Sequence, residues 1–410
     1  RPPMAMLIVG LMSGTSLDGV DAVLARCTPA GGSGPAVHPH DPAASATAPG
    51  TDSAPAHAIQ TLAHASLPLP TGLHDELLAL NRPGGHDELH RAALAANALA
   101  RLYAEACHSL LAQTGLTAAR IHAIGAHGQT VRHRPGAQAG SLADPTGYTL
   151  QLNNPALLAE LTGIAVVADF RSRDIAAGGQ GAPLVPAFHQ QVFGLPGTDT
   201  AVLNLGGIAN LTLLPADGEP VLGFDTGPAN ALMDAWTQRH TGRPYDAGGQ
   251  WAASGQVHAG LLQALAAEPF FRQPPPKSTG RDLFHDAWLQ PHLSAFQGLA
   301  PADVQATLLE LTAYTATQAL ARHLPACRRL LVCGGGALNT QLMLRLDAQL
   351  EAAGVAARVQ STADCGLPPT QVEAAAFAWL AACTLAGLPG NLPSATGAAG
   401  PRILGALYPA

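Results

Sequence analysis

Gly10-Leu11-Met12-Ser13-Gly14-Thr15-Ser16-Leu17-Asp18-Gly19-Val20-Asp21 sets a polar, glycine-punctuated turn between two apolar runs, residues 7–12 and 20–24. Two such runs joined by a short turn predict a hairpin. At its tip Gly14 and Gly19 are free to take positive φ. Ser13, Thr15 and Ser16 add hydroxyls to exposed backbone N–H groups, a combination suited to phosphate. The rival reading is an ordinary hairpin with a glycine-rich tip, and the rest of the chain has to decide between them.

A second hairpin is expected where residues 201–205 run into Gly206-Gly207-Ile208-Ala209-Asn210 and back out through 211–214. Phe224-Asp225-Thr226-Gly227-Pro228-Ala229-Asn230 then places a carboxylate at the end of a short strand, ahead of a helix holding Leu232 and Trp236. Later, Leu330-Leu331-Val332-Cys333 ends in Gly334-Gly335-Gly336 before a helix over 339–350. Such a turn lets backbone lie flat against a planar ring. The order is phosphate hairpin, second phosphate hairpin, nucleotide-base turn. No G-x-x-x-x-G-K-[ST] loop occurs, and the glycine clusters lack G-x-G-x-x-G spacing.

That order resembles the superfamily of sugar kinases, actin and heat-shock chaperones. The fold class it implies is α/β, two ribonuclease-H-like domains flanking an ATP-binding cleft. Within the superfamily the chain resembles the anhydro-N-acetylmuramic acid kinases. The resemblance rests on 10–21, Ala126-His127-Gly128-Gln129-Thr130, Gln151-Leu152-Asn153-Asn154-Pro155, Asp169-Phe170-Arg171-Ser172-Arg173-Asp174 and Gly178-Gly179-Gln180-Gly181. It continues through Asn204-Leu205-Gly206-Gly207, 224–230, Lys277-Ser278-Thr279-Gly280-Arg281-Asp282 and the triple glycine. One departure is Ala337-Leu338-Asn339, which sets Leu beside the base pocket where the family usually carries a polar residue.

The resemblance implies ATP and Mg²⁺ as cofactors. It assigns ATP binding to Ser13, Gly14, Thr15, Ser16, Leu17, Asp18, Gly19, Val20, Asp21, Gly206, Gly207, Asn210, Asp225, Gly334, Gly335 and Gly336. Asp174 matches the aspartate that activates water for attack on the anomeric carbon of 1,6-anhydro-N-acetylmuramic acid, whose released O6 takes the γ-phosphoryl group. Sugar binding is assigned to His127, Gln129, Thr130, Asp174 and Glu310, and a homodimer is implied.

Read from the residues alone, these positions stay two-sided. Asp174, expected on a loop at the C-terminal edge of a strand over 164–169, is a base or a partner of Arg171 and Arg173. Asp18 and Asp225 stabilise turns, or one of them handles Mg²⁺ directly or through water. His127, Gln129 and Thr130 suit sugar hydroxyls or the acetamido group. Glu310 reads as the exposed edge of a buried stripe, and 277–282 as a cleft-lining loop.

With 410 residues the chain is too long for one core. We expect domains at 1–197 and 198–370, with a helix over 372–385 in the segment 371–410 crossing back to the first. Residues 29–58, rich in Pro, Gly, Ala and Ser, read as a loop between strands. The helix over 87–114 carries Leu94, Ala98, Leu102, Ala106 and Leu110 on its expected buried stripe. A strand over 149–152 is expected in the first domain.

The net charge of −7 and absence of any Lys/Arg run argue against nucleic acid or an anionic membrane as partner. Six cysteines without C-x-x-C spacing read as free thiols of a reducing, cytoplasmic setting, and residues 4–12 as a first strand rather than a signal peptide. The leading reading is an ATP-dependent kinase that also hydrolyses the anhydro bridge. Its rivals are a nucleotide-gated sugar sensor and a kinase of another amino sugar.

Overall fold

The computed structural model describes residues 4–29, 58–280 and 283–410. Its strands in the first half are β1 (Met6–Met12), β2 (Gly19–Cys27), β3 (Ile59–Pro68), β4 (Ala123–Ala126), β5 (Gln129–Pro135), β6 (Gly147–Leu152) and β7 (Val166–Ala168). Beyond them lie β8 (Thr200–Leu205), β9 (Ile208–Leu214), β10 (Leu222–Pro228), β11 (Arg329–Cys333), β12 (Arg358–Ser361) and β13 (Ala406–Tyr408). The helices are α1 (Thr71–Leu80), α2 (Glu88–Thr114), α3 (Pro155–Thr162), α4 (Ser172–Ala176), α5 (Val185–Phe193) and α6 (Asn230–Thr241). They continue as α7 (Gln250–Ser254), α8 (Ala259–Ala266), α9 (Asp286–Ser294), α10 (Pro301–His323), α11 (Thr340–Ala352), α12 (Val372–Leu385) and α13 (Pro393–Thr396).

Two sheets share one strand order. The first runs β13-β7-β4-β1-β2-β3 and the second β10-β9-β8-β11-β12. In each, three successive antiparallel strands are followed by two parallel ones, β4 and β7 beside β1, β11 and β12 beside β8. That is the ribonuclease-H-like order, present twice. β13 adds antiparallel to β7, a pairing that Ala406–Tyr408 is too short to announce in sequence.

Alternation along the strands explains how both faces of the first sheet are covered. Val9, Leu11, Val20, Ala22 and Leu24 pack toward α2, while Ile8, Val23, Ala25 and Cys27 pack toward α12. Gly10 and Gly125 are needed because a Cβ on either would overlap carbonyl oxygens of α12, those of Ala374 and Phe377. The core around α12 takes residues from both sheets, Ile8 and Val167 from one, Val202 and Leu331 from the other. A helix apolar on all sides belongs in such a place, and α12 occupies it.

Three expectations change in detail. The buried stripe of α2 runs through Leu99, Tyr103, Ala106 and Leu110, and Leu94 and Ala98 face outward. The strand at 149–152 pairs with β5 in a separate two-stranded ribbon, outside the main sheet. Residues 30–57 of the expected loop lie outside the described residues, but Thr28 N–H bonds the Ala58 carbonyl at 2.9 Å across its two ends. No helix among the described residues is long and apolar enough to cross a membrane.

Candidate active site

The C-terminal edges of both sheets open on one cleft of ≈ 520 Å³. The first sheet lends it Ser16, Asp18 and Asp21 from the β1–β2 hairpin, and the second Gly206 and Gly207 from the β8–β9 hairpin. Gly334 and Gly335, at the end of β11, complete the far wall with Leu338 and Asn339. The Gly334 conformation, φ 78°, is open to glycine, and a Cβ there would press on Asn204 and the Leu205 carbonyl. The hairpin at the start of the chain thus meets the two later glycine turns in one cleft.

Within that hairpin the roles differ from the expected ones. Positive φ falls on Leu17 (56°), not on Gly14 or Gly19. Gly19 is required for close approach instead, since a Cβ would overlap the Leu67 carbonyl of β3. Ser13 turns inward, donating to the Gly128 carbonyl at 3.1 Å and bonding the Tyr103 hydroxyl at 2.8 Å. Leu17 and Val20 are buried in the core, and Thr15 is exposed. Gly14, Thr15, Gly19 and Gly336 are not part of the cleft wall.

Asp225 and Asn210 lie away from the cleft, facing each other across β9 and β10. Asp225 sits in mid-strand, where its carboxylate accepts the Thr279 N–H at 2.9 Å. Burial raises its pKa to about 6, against the opposing pull of Thr279 and Lys277. The Lys277 ammonium lies 4.6 Å from the Phe270 ring and donates to the Phe270 carbonyl. Lys277 and Thr279 therefore brace β10, while Arg281 and Asp282 of the expected cleft-lining loop lie outside the described residues.

His127, at the end of β4, accepts from Arg171 Nε and Nη2 at 3.1 and 3.0 Å through Nε2. Its Nδ1 bonds the Gly128 carbonyl at 2.6 Å, which makes Nδ1 the protonated nitrogen. Burial and the Arg171 charge lower its pKa to about 3, so the ring is neutral. Gln129 donates to the Gly14 carbonyl at 3.1 Å, propping the phosphate turn, and leaves Oε1 without a partner among the described residues. Thr130 accepts from Gln151.

Asp174 lies on α4, not on a loop, and is fully buried. Oδ1 accepts from Asn391 Nδ2 and Thr396 Oγ1, each at 2.7 Å, and Oδ2 from the Gly181 N–H at 2.8 Å. No ion pair joins it to Arg171 or Arg173 among the described residues. Gly179 is glycine because a Cβ there would overlap Oδ2. Three acceptor sites of the four on a carboxylate are filled, and one on Oδ2 remains.

Glu310 is not where the resemblance put it. Arg345 of α11 grips it through Nε and Nη2 at 2.7 and 2.9 Å, with Gln349 at 2.5 Å, away from the cleft wall. The glutamate of the cleft wall is instead Glu373 on α12, held by Asn204 Nδ2 at 2.6 Å. Burial raises its pKa first, with Asn204 and Arg171 pulling down and Asp21 pushing up. Its one signal in the sequence, too weak to single it out, is that it is the lone charge in an otherwise apolar helix. Asp234, Asp246 and Gln305 also line the cleft and carry no motif of their own.

Two sheets of ribonuclease-H-like order facing a single glycine-turned cleft define the actin-like ATPase and sugar-kinase fold. The chain belongs to the anhydro-N-acetylmuramic acid kinase family, whose model matches residues 48–410. The anhydro-N-acetylmuramic acid kinase of Variovorax paradoxus (strain S110) is 58% identical over 408 residues, 98% of this chain and 99% of that one. That of Burkholderia cenocepacia is 54% identical over 407 residues, 99% and 97% of the two chains. Among solved structures, the activator of the 2-hydroxyisocaproyl-CoA dehydratase from Clostridium difficile with bound ADPNP aligns at a TM-score of 0.42 and 13% identity, covering 92% and 94%.

Proposed function

We propose that this protein is an ATP-dependent kinase that opens the 1,6-anhydro bond of 1,6-anhydro-N-acetylmuramic acid and phosphorylates O6, giving N-acetylmuramic acid 6-phosphate in peptidoglycan recycling. The observation that carries the reading is the cleft itself, where the hairpins of both sheets and the Gly334–Gly335 turn meet in a chain of this family. In the reaction, water oxygen bonds C1 as the C1–O6 bond breaks, and O6 takes the γ-phosphoryl group as its bond to ADP breaks.

Asp174 is the base that takes the water proton. Its support is the one acceptor site on Oδ2 that no donor among the described residues fills, its other sites being fixed by three donors, although the carboxylate is buried beneath the cleft wall and not part of it. A base needs such hydrogen-bond reach to the proton it removes. His127 and Arg171, tied together beside Glu373, offer a neutral acceptor system and a cation for the sugar's polar groups. Glu373 replaces Glu310 as the carboxylate facing the substrate.

The cleft wall carries five carboxylates, Asp18, Asp21, Asp234, Asp246 and Glu373, and no Lys or Arg among the described residues. A triphosphate enters such a wall only with its charge neutralised, which supports Mg²⁺. Mg²⁺ is held by one or two carboxylates plus phosphates and keeps several waters. Asp18 fits that part, on the phosphate hairpin, and Asp225 does not. The ion would shield charge on the phosphoryl group in transfer.

On the same reading the lobes are residues 1–197 and 198–370, with 371–410 joining them, as α12 packed against both sheets supports. A cytoplasmic homodimer follows the family resemblance. Incubating the protein with the anhydro sugar, ATP and Mg²⁺ should yield ADP and the 6-phosphate in equal amounts. Turnover of N-acetylmuramic acid or another amino sugar, with none of the anhydro sugar, would replace this reading.

A further inference from the structure

Gln305 of α10 lines the cleft and is 0% exposed, yet neither Oε1 nor Nε2 has a hydrogen-bond partner among the described residues. A buried amide with both ends unmade is costly, and such groups in folded proteins call for an explanation. Its neighbours in the chain show the usual alternative: Thr307 and Thr312, on the same helix, bond backbone carbonyls one turn back.

Its place along the cleft is defined by the groups around it. The hairpins at Asp18 and Gly206 mark the phosphate end. Past the Gly334–Gly336 turn, Asn339 caps α11 and lies against Gly249, just past Gly248 of the cleft wall. Asp246 fixes the start of α7 by accepting the Trp251 and Ala252 N–H groups, and α7 packs on α10. Gln305, through α7 and the Gly248–Gly249 turn, and the Gly334–Asn339 turn, which itself reaches Leu205 beside the Gly206 hairpin, therefore border one stretch of the cleft. Leu338, 63% exposed, offers that stretch an apolar face.

We infer that the Gln305 amide reads the edge of the purine base of the nucleotide, accepting from the adenine N6 amino group and donating to N7. An amide carries one acceptor beside one donor, and adenine presents the matching donor and acceptor at N6 and N7, whereas guanine presents two acceptors, O6 and N7. The apolar face at Leu338 stacks without regard to the base; the amide supplies the discrimination. This inference rests on the kinase reading above and goes beyond it by naming the group that chooses ATP.

The test is titration calorimetry with Mg²⁺ on the full chain, using ATP, 7-deaza-ATP and GTP, on the wild type and on Gln305→Leu. The wild type should bind ATP about 5- to 150-fold more tightly than either analogue. Gln305→Leu, which removes no existing hydrogen bond, should keep or raise the melting temperature and bind all three nucleotides within about twofold of one another. Equal binding of ATP and 7-deaza-ATP by the wild type, which needs no variant, would overturn the inference while leaving the kinase intact. So would a Gln305→Leu protein that keeps the wild-type preference. A wild type that binds no nucleotide at all would bring down the kinase reading with it.

Discussion

Replacing Asp174 by Asn removes a charge and, less obviously, rearranges a buried hydrogen-bond set. Today Oδ1 accepts from Asn391 and Thr396, and Oδ2 from the Gly181 N–H, all within 2.8 Å. An amide has one acceptor oxygen. With that oxygen left at the Oδ1 position, its NH₂ faces the Gly181 N–H, donor against donor, in a place with no solvent. Loss of a hydrogen bond to a charged group costs about 1.5–3 kcal/mol. If the carboxylate is also the base, kcat falls about 10²–10⁴-fold, or roughly 3–5 kcal/mol of barrier. Urea unfolding reads the first quantity and ADP release at saturating substrates, scaled to folded protein, the second. Thr396→Val separates them: it deletes one donor to Oδ1, should cost about 1.5–3 kcal/mol in stability, and should leave kcat within about tenfold. An Asp174→Asn protein that loses stability but turns over at the wild-type rate would make this carboxylate structural, and the base would have to be sought elsewhere.

Gly10→Ala should lower the unfolding free energy by about 1–3 kcal/mol, because its Cβ would overlap the Ala374 carbonyl of α12; an unchanged urea midpoint would show that α12 does not pack there. Burial lowers the pKa of His189, beside Thr212, to about 3, and that of His127 likewise. The unfolded chain therefore binds more protons than the folded one between about pH 6.5 and 3, and stability should fall as pH drops through that window. Asp225, raised to about 6, runs the other way between about pH 6 and 4 and offsets only part of it. Unfolding free energy flat from pH 6.5 to 4 would contradict the buried neutral rings. Replacing residues 30–57 by a short Gly/Asn turn should keep the protein folded and active, since Thr28 and Ala58 already bond across the gap; insoluble protein would refute it.

The two hairpins, the triple-glycine turn and α12 were legible in the sequence because local patterns specify them: apolar runs around glycines, and a 14-residue helix without a polar face. Which glutamate reaches the cleft was not, because Glu310 and Glu373 look alike as single charges among apolar residues. What separates them is the partner each meets in space, Arg345 for one and Asn204 for the other. Asp225 misled for a similar reason, since an Asp-Thr-Gly at a strand end reads as a turn until Thr279 arrives from 54 residues away to occupy it. The same limit applies to Asp174. Its motif was plain, but the donors that bury it come from 391 and 396, across the whole chain, and they make its replacement costly to the fold as well as to the chemistry.

The central claim is that bridge opening and phosphoryl transfer are one event in one cleft, which holds both reactants in line in place of a bimolecular encounter. A single turnover in ¹⁸O-labelled water, with the product examined by mass spectrometry, tests it directly. The account predicts one labelled oxygen at the anomeric hydroxyl and none in the phosphoryl group. A product without solvent oxygen, or bridge opening without ATP at the rate seen with it, would contradict the claim.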